Sequence, residues 1–126
     1  MKVVSSRIKL NIPKIKQLDK ARVTALEKTV SALHTEVVKE QVMPFDTGNM
    51  QNDNTYEDYS NSNKGKVNLV TSTPYSRRIY YHPEYNFQKK ENANARGNWY
   101  EPWINGKNKK FCEQAYSKFY KKEAGL

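Results

Sequence analysis

The sequence predicts an α+β fold: a long N-terminal amphipathic helix, a small antiparallel β-hairpin, a short middle helix and a C-terminal helix. Three observations predict it. Apolar residues recur at helical spacing over about residues 14–42. Two short stretches with polar alternation then bracket an Asn/Gly-rich tip. A second run of helical spacing closes the chain.

Taken in order, Ile8, Leu10 and Ile12 alternate with Arg7, Lys9 and Asn11, the period-2 pattern of a short half-buried strand. Pro13 suits a first helical turn, where its missing N–H costs nothing. Ile15, Leu18, Ala25, Leu26, Val30, Leu33 and Val37 then share one side of a helix that Pro44 is expected to stop. Gln51 to Ser60 and Lys66 to Ser72 flank "NSNKG", whose Asn and Gly supply the positive φ values a hairpin tip needs. "YSRRIYYH" reads as a short helix from Tyr75 ended by Pro83. "NFQKKENANARGNWYEPW" has no periodicity and reads as a long ordered loop anchored by its aromatics. In residues 107–122, Phe111, Ala115 and Phe119, with Tyr116 and Tyr120 on adjacent rows, give the closing helix.

A chain of 126 residues is expected to form one domain spanning 1–126. With 37% hydrophobic residues and a mean hydropathy of -0.98, aliphatic side chains are scarce, and much of the burying falls to nine Tyr and two Trp. No run of 18 apolar residues exists, and "MKVVSS" lacks the apolar stretch of a secretory signal. The expectation is a protein with no membrane span, not exported by a signal peptide. Cys112 is the only cysteine, so an internal disulfide is impossible and a reducing cytoplasm fits.

Net charge is +9 and unevenly spread. Residues 1–42 carry nine Lys and Arg against four Asp and Glu, residues 43–74 two against four, and residues 75–126 eleven against five. Basic ends around a slightly acidic middle suit nucleic acid or an acidic protein partner.

The triplet Asp46-Thr47-Gly48 is also that of aspartic proteases, in which an apolar strand buries the aspartate and two carboxylates share a proton. Here it follows a helix, Pro44 and Phe45, and no later Gly is preceded by two aliphatic residues. Context favours a turn, with Asp46 accepting backbone N–H groups and Gly48 at positive φ. His34, His82 and Cys112 form no recognisable ligand set, Ser, His and Asp lack an ordering frame, and no Gly-rich phosphate loop occurs. No catalytic residue, metal ligand or cofactor site is expected. "SRR", "QKK" and "GKNKKF" lie among Tyr75, Tyr80, Tyr81, Phe87, Trp99 and Trp103. That mixture fits a stacking platform in a charged groove, and equally an aromatic core under a solvated lysine face.

In sequence order, Pro44, Asp46, Thr47 and Gly48 come first. Thr73, Pro74, Tyr75 and Ser76 follow, with Tyr80 and Tyr81. Then come Tyr85, Asn86 and Phe87, and finally Asn92, Ala95, Trp99, Tyr100 and Glu101. This series resembles the minor capsid or head-to-tail joining (tail completion) proteins of tailed bacteriophages, especially siphophages of Gram-positive hosts. Met50 stands where Leu is usual and Ser76 where Ala is usual, and "Gln51-Asn52-Asp53" is more polar than the common Arg-x-Ser. The resemblance covers about residues 44–103 and implies the long helix packed on the small sheet, in a non-enzymatic homo-oligomeric ring in the virion neck. It implies assembly in the host cytoplasm and partners among neck and tail proteins, such as the connector or stopper and the tail terminator, with at most weak, non-specific DNA contact. Tyr75, Arg77, Arg78, Trp99 and Trp103 are candidate subunit or neck contacts, because Arg and aromatic side chains dominate such interfaces. Tyr75, Trp99 and Trp103 fit a core role equally. The alternative function is a small basic phage DNA-binding protein.

Overall fold

A computed structural model describes residues 9–45 and 48–126. The fold is α+β: a long N-terminal helix and a C-terminal helix packed together, a two-stranded antiparallel sheet, and short helices between. Helix α1 spans Ile12–Lys39. The Asn11 Oδ1 accepts from the Lys14 N–H at 3.2 Å, capping one of the first turn's orphan donors, and Pro13 sits just inside. No strand forms over residues 9–12, where Ile12 already opens the helix; Ile8 lies outside the described residues. The Asn cap and Pro13 act locally, whereas a strand needs a partner edge. At the other end α1 stops before Pro44 is reached. Glu40 is its cap and Gln41 turns left-handed at φ 56°, so a single backbone reversal ends the helix.

The principal partner of α1 is helix α4, Phe111–Ala124. Ala21 and Ala25 on α1 and Ala124 on α4 are buried, and these small side chains allow close approach. The Lys14 Nζ donates to the Ala124 carbonyl at 3.1 Å, and Lys28 pairs with Glu123.

Strands β1, Thr55–Asp58, and β2, Asn68–Thr71, pair with Thr55 opposite Thr71 and Asp58 opposite Asn68. Gln51 to Asp53 belong to a π-helical turn, Asn49–Asp53, so the first strand starts later than its sequence suggests. Gly65 at φ 86° closes the hairpin tip. A two-stranded sheet is marginal alone. Here His34 Nδ1 on α1 lies 2.8 Å from Glu57 Oε1, and Leu69 packs on the core.

Helix α2, Ser76–Tyr80, leads into an irregular stretch, and a one-turn helix α3, Glu101–Ile104, precedes α4. The core sits where these pieces meet the end of α1: Val37, Val42, Met43, Met50, Trp99 and Trp103, with Leu33, Leu69, Ile79, Tyr80, Tyr100 and Phe111 packed around them. Each large side chain so buried contributes about 1.5–3 kcal/mol. Among the described residues, no helix is long and apolar enough to cross a membrane.

Candidate interaction surface

The irregular segment is held by hydrogen bonds to distant backbone. The Arg96 N–H donates to the Val42 carbonyl at 2.9 Å, Asn94 N–H to Gln41 at 3.1 Å, and Asn98 N–H to Tyr80 at 2.8 Å. The buried Asn92 amide donates to the Met43 carbonyl at 2.8 Å and to Gln51 Oε1 at 2.7 Å. These bonds fasten residues 92–98 against the exit of α1 and the end of α2. At Gly97 a Cβ would lie 2.7 Å from the Pro83 Cα, so the two backbone segments touch.

The turn after α1 is equally tight. Gly48 has φ 84°, and a Cβ there would meet the Phe45 ring at 2.8 Å and the Asn52 amide at 2.9 Å. Gly48 takes the positive φ expected of it, while Asp46 and Thr47 lie outside the described residues. Pro44 and Gly48 line an open cleft of about 430 Å³ together with Phe45, Met50, Tyr75, Arg78, Ile79 and Phe87. Its walls are largely apolar, and Arg78 supplies the guanidinium. Arg77, on the next helical position, borders a shallower concavity formed with Thr71, Tyr80, Tyr81, Trp99 and Tyr100.

Of the residues singled out in the sequence, Tyr75, Arg77 and Arg78 are exposed, with Tyr75 at 39% of its full accessibility. Trp99 and Trp103 are at 1% and 8%. The two tryptophans are core, one of the two roles that the sequence leaves open for them. Tyr80 meets Trp99 edge to face, with ring centroids 4.8 Å apart, which fixes α2 on the tryptophan. Trp103 enters the core from α3, a turn too short to show as periodicity.

Burial, reinforced by Glu101, pushes the Tyr80 phenol above its ordinary value. Burial does the same at Tyr100, opposed by a 2.6 Å hydrogen bond with Thr71. Both phenols are neutral hydrogen-bonding groups at neutral pH, and the charge bordering the two concavities comes from Arg77 and Arg78. Sequence reasoning missed Phe45 and Ile79 as cleft walls; Tyr81, named there among the aromatics, is 66% exposed. Their roles depend on which loops meet, a long-range property without a local signature. Among the described residues, no group of three or more His, Cys, Asp or Glu could hold a metal ion. The arrangement suits gripping an apolar or aromatic side chain against a guanidinium.

The fold defines a small α+β protein with an aromatic and basic concave surface. No protein-family model, curated protein or solved structure matches the chain.

Proposed function

We propose that this chain is a non-enzymatic structural protein of a tailed-phage virion, part of the neck ring that joins the DNA-filled head to the tail. One observation carries the reading: the spaced motifs between residues 44 and 103 occur together and in the order seen in head-to-tail joining proteins. The positions of those residues support it. Pro44, Gly48, Tyr80, Asn92, Ala95 and Trp99 hold the framework together, while Tyr75, Arg77 and Arg78 project from it. A closed ring needs two different surfaces on each subunit, each complementary to the other on its neighbour. The cleft holding Tyr75 and Arg78 is one such surface, and neighbouring neck proteins, the connector or stopper and the tail terminator, contact the assembled ring.

Electron microscopy of lysates from a parent phage lacking this gene tests the reading. DNA-filled heads beside separate, complete tails establish the joining role. Normally joined virions reject it and leave a small basic DNA-binding protein as the alternative. Within the joining role, Arg77→Ala and Arg78→Ala variants that assemble as the wild type does would remove these arginines from the interface.

A further inference from the structure

Helix α4 presents one face without an aromatic or aliphatic residue. At 100° per residue, Lys110, Gln114, Ser117, Lys118 and Lys121 fall within one arc of about 100° that excludes Cys112, Ala115 and Phe119, with half-buried Phe111 just beyond its Lys118 edge, and all five are exposed. Lys122 flanks this face, and Lys107 and Lys109, also exposed, precede it in the turn before the helix. None of these six lysines has an ion-pair partner among the described residues, where the lysine and arginine ion pairs are Arg22–Asp19 and Lys28–Glu123. Glu113, at the edge of the face, is the only acidic residue between 102 and 122. Six lysines stand against two acids over 101–122, so the segment carries a net positive charge, moderated by Glu113 at its edge and by Glu123, whose carboxyl feels Lys122.

We infer that the Lys110–Lys118–Lys121 face of α4 binds the phosphate backbone of double-stranded DNA, independently of sequence. Lys110 and Lys121 are eleven residues apart, about 16 Å along the helix, and a duplex of that length carries about nine phosphate charges. Lysine ammonium groups are mobile point charges that suit a regular array of phosphates without needing a fixed geometry. A protein partner fits less well, because protein interfaces are depleted in Lys and anchored by aromatic and Arg side chains, which this face lacks. Single-stranded nucleic acid fits less well too, since it is held by stacking on exposed aromatic rings. The site lies on a different element from the Tyr75–Arg78 cleft, and the inference stands whether or not the chain joins heads to tails.

The test is fluorescence anisotropy of a labelled duplex of about 30 base pairs, titrated with the full chain from about 50 to 200 mM salt. Two variants of equal charge loss are compared: Lys110→Gln/Lys118→Gln/Lys121→Gln, and Lys64→Gln/Lys66→Gln/Lys89→Gln as an exposed control. The helix variant is expected to lose about tenfold or more in affinity and to lower the slope of log affinity against log salt by about two to three, with the control changed far less. Equal losses in both variants would show that net charge alone acts and would overturn the site. Absence of saturable wild-type binding at about 150 mM salt would overturn it as well. So would complete displacement of DNA by polyglutamate at equal charge, which would assign the face to an acidic protein partner. In the wild type, acetylation footprinting by mass spectrometry should show Lys110, Lys118 and Lys121 protected by DNA; unprotected lysines there would refute the assignment without recourse to any variant.

Discussion

The side-chain amide of Asn92 donates to Gln51 Oε1 at 2.7 Å, and its second N–H reaches the Met43 carbonyl at 2.8 Å. Met43 O can only accept, so the amide nitrogen must face it. One buried side chain thus ties the turn after α1 to the irregular segment that carries Trp99. Replacing Asn92 with Asp keeps the shape but sets a carboxylate against two acceptors. Asn92→Asp is expected to cost about 2–4 kcal/mol at pH 7. Burial raises the pKa of the introduced carboxyl, so the penalty is full above that value and is partly relieved as pH falls below it. Urea denaturation at pH 7 and pH 4 reads this out; an equal loss at both would remove the electrostatic explanation.

Trp99 and Tyr75 separate core from surface. Trp99→Ala removes the largest fully buried side chain and should destabilise by about 3–5 kcal/mol, leaving a chain that melts early or fails to accumulate. Tyr75→Ala should cost less than about 1 kcal/mol. Equal urea midpoints for the two variants would contradict the burial described here.

Gly97 meets backbone rather than a side chain. The Pro83 Cα and N would lie 2.7 and 2.9 Å from an added Cβ, and neither can rotate away. Gly97→Ala should therefore separate the two segments and cost about 1–3 kcal/mol, a drop of roughly 5–10 °C in Tm. Calorimetry showing an unchanged Tm would mean that the segments part freely.

Cys112 is half-buried, and burial pushes its thiol up. A raised pKa leaves less thiolate at pH 8, and the thiolate is the reactive form. Labelling of the folded chain by a thiol-exchange reagent should be about tenfold or more slower than in urea. Because Cys112 is the only cysteine, the trace has one phase to interpret. Equal rates would place the thiol in water.

Much of this architecture was legible where one period repeats. The apolar spacing of α1 and α4 shows over several turns, and Gly65 and Gly48 announce positive φ through their type. The stop at Gln41 was not legible, because a left-handed non-glycine residue has no strong sequence signal and Pro44 offered a more obvious breaker. Helix α3 is a single turn and shows no period. The alternation at residues 7–12 suggested a strand, but Asn11 and Pro13 begin a helix there. At the candidate surface, Tyr75 and Trp99 looked alike in sequence. What separates them is a set of long-range bonds, Asn92 to Met43 and Asn98 to Tyr80, that buries one ring and leaves the other out.

The pairing of Lys28 with Glu123 clasps the end of α4 to the middle of α1, and it sets a pH dependence with a definite sign. The hydrogen bond from Lys28, and then its charge, holds the Glu123 carboxyl below its ordinary value. A carboxylate depressed in the folded state binds its proton more readily when unfolded. Its contribution is therefore fully present above the unfolded pKa and disappears as pH falls through the folded one. Glu123→Gln should lower the urea midpoint at pH 7, and the difference should shrink as pH falls through the folded pKa of the wild-type carboxyl, where that group is neutralised as well. Salt at about 1 M should shrink the difference at pH 7, because both groups are partly open to solvent. The Lys28→Gln variant completes the test: if the pair is the cause, adding Glu123→Gln to it costs less than the same change in the wild type. Independent, additive losses from the two substitutions would assign the stabilisation to something other than their bond.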